Sequence, residues 1–201
     1  MVCASNVRFF LLGFQGSAML LRKRIYLIGL SLFLSLFQFT SARAELKVGV
    51  SAPNFTAPAA LAGQTYNFVL AEALKKGPVV VYFYPKAFTT GCTIEAQLFA
   101  EATDKFAELK ATVIGVSGDD IETLKKFSQG PCGGKFAVAA DLDRSIIKAY
   151  DAGMMLMPNM ASRISYVVTP DSKVLFVYSG MSPDQHVSNT LAALQAWQAK
   201  R

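Results

Sequence analysis

From Pro78 to Val177 the chain alternates short continuous apolar runs with segments whose apolar residues recur every three or four positions. Val79 to Tyr84 is β-branched or aromatic throughout, as expected of a strand buried on both faces. Behind it, Ile94, Leu98, Ala102, Phe106 and Leu109 share one face of a predicted helix, with Glu101 and Lys105 four apart on its wet side. Ala111 to Val116 predicts a second buried strand, and Phe136 to Ala140 a weaker third. Asp119 or Asp120 supplies a cap for a short helix carrying Ile121, Leu124 and Phe127, and Arg144 to Tyr150 predicts another. Ile164 to Val168 and Val174 to Tyr178 flank the turn signal Thr169-Pro170-Asp171-Ser172, which makes them a hairpin. Ser182-Pro183-Asp184-Gln185 then combines an N-cap, a proline at the first helical position and a capping-box glutamine. Val187, Leu191, Leu194 and Trp197 form the buried face of that last helix.

This order, strand and helix alternating three times before a hairpin and a final helix, predicts an α/β fold. Its βαβ crossovers come first, and helices pack on both faces of a mixed sheet. The first 44 residues follow a different rule. Arg22-Lys23-Arg24 precede an apolar run from Ile25 to Phe39, and Ala42-Arg43-Ala44 supplies small residues at A-x-A spacing, the order of a secretory signal peptide. The run is shorter than the ~20 residues that span a bilayer as a stable helix. The expected organisation is therefore a leader over 1–44 and one domain over 45–201, with Met19 as an alternative start. An uncleaved leader would be the chain's only tie to a membrane.

Charge changes meaning once the leader is set apart. Five of the 20 Lys and Arg residues precede residue 45 and none of the 14 acidic residues does, so the remaining domain is nearly neutral. The whole-chain pI of about 9.3 belongs to the targeting segment, and no nucleic-acid partner is expected. Cys3 also falls in the leader, leaving Cys92 and Cys132 as a pair bound for an oxidising compartment. One histidine, His186, and two distant cysteines lack the clustered spacing of a zinc site, so no metal is expected. His186 itself is expected at the surface of the last helix. Met154, Met155, Met157 and Met160 offer an adaptable apolar surface, although core packing is the commoner use of such a run.

The chemistry concentrates in Tyr84-Pro85-Lys86-Ala87-Phe88-Thr89-Thr90-Gly91-Cys92-Thr93-Ile94-Glu95. A buried strand ends, a turn follows, and Cys92 falls where the next helix begins. Backbone N–H groups in a first helical turn lack intrahelical partners and favour negative charge on a sulfur placed there. Thr89 is close enough in sequence to turn a hydroxyl toward that sulfur, and Glu95, three residues on, to orient an arginine. The competing reading of Cys92 is a small buried hydrophobe, the commoner fate of a free cysteine.

Pro85-x-x-x-Thr89-x-x-Cys92 resembles the PxxxTxxC signature of the peroxiredoxins, and the string from Tyr82 to Ala96 is similar to their bacterioferritin-comigratory-protein, or Q-type, branch. Val48-Gly49 through Phe55 resembles the family's N-terminal opening, and Arg163 to Val168 its arginine-bearing strand. The resemblance implies a thioredoxin-like fold and a thiol-dependent peroxidase needing no cofactor. It implies that Cys92 is the peroxidatic cysteine, that Thr89 hydrogen-bonds the peroxide, that Pro85 shields the thiolate from water, and that Arg163 holds thiolate and peroxide together. The implied partners are a peroxide and a thioredoxin-like or other thiol reductant; the leader makes the protein an expected export, to the periplasm, and monomer or homodimer stays open.

Three departures stand out. Thr90 replaces a frequent proline, Ala87 and Phe88 replace an often acidic pair, and Gln97 stands where many members carry a resolving cysteine. Cys132, in Gly130-Pro131-Cys132-Gly133-Gly134, is then the implied resolving thiol, on a segment expected to be mobile and exposed. One-cysteine catalysis that leaves Cys132 aside remains open. So does a thioredoxin-type thiol-disulfide oxidoreductase, although such proteins use C-x-x-C and position 95 here is glutamate.

Overall fold

The computed structural model describes residues 45–157 and 159–201. Seven strands form one mixed sheet: β1 (Thr56–Leu61), β2 (Gln64–Val69), β3 (Val79–Phe83), β4 (Thr112–Ser117), β5 (Ala137–Ala140), β6 (Ile164–Val168) and β7 (Val174–Ser179). Six helices accompany them: α1 (Leu70–Leu74), α2 (Thr90–Glu101), α3 (Thr103–Glu108), α4 (Ile121–Gln129), α5 (Ser145–Ala149) and α6 (Pro183–Gln198). The sheet order is β2-β1-β5-β4-β3-β6-β7. β3, β4 and β5 run parallel, joined through helices, whereas β6 and β7 on one side and β1 and β2 on the other are antiparallel. This is the thioredoxin-like arrangement expected.

Alternation along β3 divides the core in two. Val79, Val81 and Phe83 face a cluster containing Leu70 and Leu74 of α1 and Ile146 and Ile147 of α5. Val80 and Tyr82 face the other side, where α2, α3, α4 and α6 contribute Phe99, Phe106, Phe127 and Leu194. All five β3 residues are buried, which explains why that strand reads as an unbroken apolar run.

The β1–β2 hairpin is absent from the sequence expectation. Its strands are rich in alanine and polar residues, and Pro58 argues against an interior strand. Ala62 and Gly63 nonetheless make a two-residue turn with both φ values positive (49° and 79°), as the hairpin twist requires. The Ser128 hydroxyl accepts from Gly63 N–H at 3.0 Å and ties the turn to α4.

The long helix expected from Ile94 to Leu109 is two helices. The chain breaks at Ala102 (φ −89°, ψ 0°), so Glu101 and Lys105 fall on different elements. Beside the break, the Thr103 hydroxyl donates to the Phe99 carbonyl, a side-chain bond of the kind that bends helices. Asp120, not Asp119, caps α4, accepting from Thr123 N–H at 2.8 Å. At α6 the expected capping box does not form: Ser182 makes no side-chain cap bond, and Gln185 Oε1 accepts from the Tyr178 hydroxyl instead. The methionine run is not core either, since Met155 and Leu156 are 82% and 91% exposed.

Candidate active site

Strand β3 ends at Phe83, and the segment from Pro85 to Thr89 leads into α2 with Thr89 as N-cap residue (φ −74°, ψ 150°). Cys92 is the third residue of α2, in the turn that precedes the helix's first closed bond, Thr93 N–H to the Thr89 carbonyl at 2.8 Å. The sulfur therefore sits where helix amides and dipole favour negative charge. Cys92 is also almost wholly buried, 2% exposed, among Tyr82, Tyr84, Ala87 and Phe99.

Sheet pairing brings the arginine to it. β6 runs antiparallel to β3 with Ile164 opposite Phe83, so Arg163, one residue before β6, stands beside the segment that leaves β3. Its Nη2 donates to Cys92 Sγ at 3.5 Å, and its Nη1 to Glu95 Oε2 in an ion pair shielded from solvent. Gly91 permits this approach, because a Cβ there would lie 3.0 Å from Arg163 Nη2. Cys92 and Glu95, three apart on α2, thus hold two arms of one guanidinium fork.

Burial pushes the Glu95 carboxyl up to about 8, against the pull of Arg163. Its Oε1 and Arg163 Nε have no hydrogen-bond partner among the described residues. Two further orphans lie in the same buried cluster: the Tyr82 and Tyr84 hydroxyls, both held well above the usual tyrosine range by burial.

The remaining expected residues are placed less simply. Thr89 is exposed, and its hydroxyl donates to the Lys86 carbonyl at 3.0 Å rather than to the sulfur. Pro85 is half-buried at the start of the loop. Cys132 is fully buried, which corrects the expectation of an exposed segment. Backbone bonds from Gly133 N to the Gly130 carbonyl, Gly134 N to the Ser128 carbonyl and Lys135 N to the Cys132 carbonyl fold the glycine-rich stretch into tight turns. Burial raises the Cys132 thiol far above its ordinary range, and it belongs to the same apolar cluster as Cys92. Both cysteines are free thiols.

His186 is also fully buried, not at the surface, because the register of α6 turns it onto β6 and β7. Its ring stands edge-on to Tyr178, with Nδ1 2.8 Å from Ser165 Oγ and Nε2 2.9 Å from the Gly180 carbonyl. Asp119 is a residue that sequence reasoning read only as a cap. Its Oδ2 accepts from Ala87 N–H at 2.7 Å and from the Ser117 hydroxyl at 2.8 Å, pinning the loop before Cys92 to the end of β4. An acidic residue just past a buried strand was the available signal.

A sequence model described as the AhpC/TSA family matches residues 48–177. The chain is 34% identical over 156 residues to a chloroplastic peroxiredoxin Q of Oryza sativa subsp. japonica, covering 76% of this chain and 68% of that one. Peroxidoxin BcpB of Mycobacterium tuberculosis superposes with a TM-score of 0.68 at 30% identity, over 75% of this chain and 97% of its own. Mycobacterium tuberculosis AhpC shares the fold, with a TM-score of 0.69 at 22% identity over 79% and 96% of the two chains. The chain belongs to the AhpC/TSA family and is a peroxiredoxin, an oxidoreductase that reduces peroxides with a thiol.

Burial lowers His186 to about 4, so the folded protein keeps it neutral. As pH falls through the ordinary histidine value of ~6.5 the unfolded chain takes up a proton that the folded chain refuses, so His186 contributes a loss of stability toward pH 4, opposite in sign to Glu95, whose buried carboxyl holds its proton in the folded chain. Urea melts between pH 7 and 4 in a Glu95→Gln background, where the opposing carboxyl is gone, are expected to show this decline, and adding His186→Asn is expected to flatten it.

Proposed function

We propose that Cys92 is the thiol that this peroxidase spends on its substrate, and that Arg163 is the residue that activates the exchange. The observation that carries this reading is the buried fork of Arg163, shared between Cys92 Sγ and Glu95. The Cys92 thiolate attacks one oxygen of the O–O bond in line. That bond breaks, sulfur becomes a sulfenic acid, and the departing alkoxide or hydroxide takes a proton to leave as alcohol or water. Charge develops on the departing oxygen, where the Arg163 fork and the amides opening α2 stabilise it more than they stabilise the ground state. Thr89 turns its hydroxyl from the Lys86 carbonyl to the bound peroxide, and Pro85 covers the sulfur. The apolar mouth formed by Ala87 and the exposed Phe88 suits organic hydroperoxides as well as hydrogen peroxide.

Resolution falls to Cys132. Its thiol attacks the sulfenic sulfur, forming the Cys92–Cys132 disulfide and releasing water, and a thioredoxin-type reductant returns both thiols. Shared membership of one buried cluster supports the pairing, and the closed turns around Cys132 mean that the first turn of α2 or the 130–135 segment must open. Peroxide treatment followed by non-reducing peptide mapping is expected to show the Cys92–Cys132 link in the wild type. Cys132→Ser is expected to stop at Cys92 sulfenic or sulfinic acid, and Cys92→Ser to abolish turnover. Cys92 over-oxidising while wild-type Cys132 stays free would instead establish one-cysteine catalysis.

Residues 1–44 act as a cleaved export signal that delivers residues 45–201 to the periplasm. This rests on the sequence pattern, since that segment lies outside the described residues. Intact mass of the secreted protein is expected to begin at Glu45, and a chain retaining the leader in the membrane fraction would contradict it.

A further inference from the structure

His186 and Glu95 form a buried pair for which the reaction above has no use. Glu95 Oε2 is bound by Arg163, but Oε1 has no hydrogen-bond partner and points at His186 Nδ1, 3.8 Å away. That distance is an electrostatic contact and too long for a hydrogen bond. The Gly180 carbonyl can only accept, so His186 Nε2 carries the hydrogen of that bond. In the neutral ring the single Nδ1 lone pair accepts the Ser165 hydroxyl hydrogen at 2.8 Å, and Glu95 Oε1 lies 3.8 Å from the same electron-rich nitrogen. The partial negative charge of that nitrogen repels a bare carboxylate oxygen and attracts a carboxyl O–H.

The charge count points the same way. With Cys92 ionised and Glu95 ionised, one guanidinium serves two buried anions, and the cluster carries a net negative charge away from water. One added proton makes it neutral. Burying uncompensated charge is costly, so the proton has a reason to stay.

We propose that Glu95 and His186 hold a single proton between them in the reduced protein, and that this proton frees the charge of Arg163 to serve Cys92. His186 is in this sense a positioning residue: it touches no reacting atom and acts through Glu95. When the proton is present, Glu95 Oε2 still accepts from Arg163 as a neutral carbonyl, holding the fork in place without cancelling it. When it leaves, the fork is divided between two anions and the thiolate loses support. The raised carboxyl and the depressed imidazole put the proton on Oε1. The other titratable groups turned toward the pair are Tyr82 on β3, Tyr178 on β7 and Asp184 in the first turn of α6. Tyr82 stays neutral in its buried site.

This inference rests on Arg163 supporting the Cys92 thiolate, and its test reads that thiolate directly. The rate of Cys92 alkylation by iodoacetamide, resolved by peptide mass mapping on the full-length chain, is measured against pH. Glu95→Gln copies the protonated carboxyl, with an amide N–H facing Nδ1. It is expected to move the Cys92 ionisation to lower pH, raising the rate below the midpoint roughly tenfold or more. His186→Asn offers an amide donor to Oε1, stabilises the Glu95 anion, and is expected to move the midpoint to higher pH by a similar factor. His186→Gln carries the same amide and makes the test if the asparagine variant does not fold. In the Glu95→Gln background either His186 change is expected to have no further effect, because the charge it governs is gone.

A merely structural histidine would shift the single variants in the same direction, or shift the profile equally in both backgrounds, and either result overturns the proposal. Failure of the parent reading looks different: peroxide turnover surviving in Cys92→Ser would remove Cys92 as the nucleophile, while the alkylation profiles would still decide the shared proton.

Discussion

One buried guanidinium organises the site. Arg163 is 7% exposed, with one Nη on Cys92 Sγ and the other on Glu95. An arginine taken out of water is destabilising by several kcal/mol unless an anion meets it with good geometry. Glu95, itself fully buried, is that anion or its protonated stand-in. The rest of the arrangement follows from this need. β6 pairs with β3 in the register that sets Ile164 opposite Phe83, the first turn of α2 carries glycine at 91 where a Cβ would crowd the guanidinium, and Cys92 and Glu95 lie three apart on one helix face. A change in the register or in the helix spacing would separate the fork from the sulfur, and a side chain at 91 would crowd it.

The apolar surroundings strengthen that interaction and also limit it. Tyr82, Tyr84, Phe99 and Phe127 form a stacked series linking β3, α2 and α4, with ring centroids 4.4 to 5.6 Å apart. A medium of low polarity strengthens each hydrogen bond to developing charge. It also holds Cys132 as a protonated, inaccessible thiol while the peroxide reacts. On the proposed Cys92–Cys132 route, attack and resolution would need different conformations: the first a closed site around Arg163, the second an opened one in which two buried sulfurs can meet.

Most of this was legible in the sequence, for identifiable reasons. β3 is buried on both faces, so its apolar run is unbroken, and Cys92 lies at the helix start that this strand feeds. The Thr169–Ser172 turn and the β6–β7 hairpin carried strong local signals. The β1–β2 hairpin did not, because its register is imposed by β5 and α4 rather than by its own residues. His186 was misplaced because one imidazole in an otherwise polar first turn reads as solvated. Its burial depends on the packing of α6 against β6 and β7, where Ser165 lies 21 residues away and the nearby Gly180 carbonyl is placed by the turn after β7. Cys132 was misjudged because glycine and proline signal turns, and turns are usually exposed; here the turns fold inward against α4. The Arg163–Glu95 contact came from Glu95's spacing to Cys92 together with family resemblance, since 68 residues separate the partners.

The most direct test of the account is the second-order rate constant for oxidation of reduced protein by hydrogen peroxide, measured by stopped flow for the wild type and for Arg163→Lys. Lysine keeps the positive charge but cannot span Cys92 and Glu95 as a fork. The rate constant is predicted to fall by roughly 10²- to 10³-fold, the scale of losing an oriented transition-state donor. A lysine variant that oxidises as fast as the wild type would contradict the claim that the shared guanidinium drives the reaction.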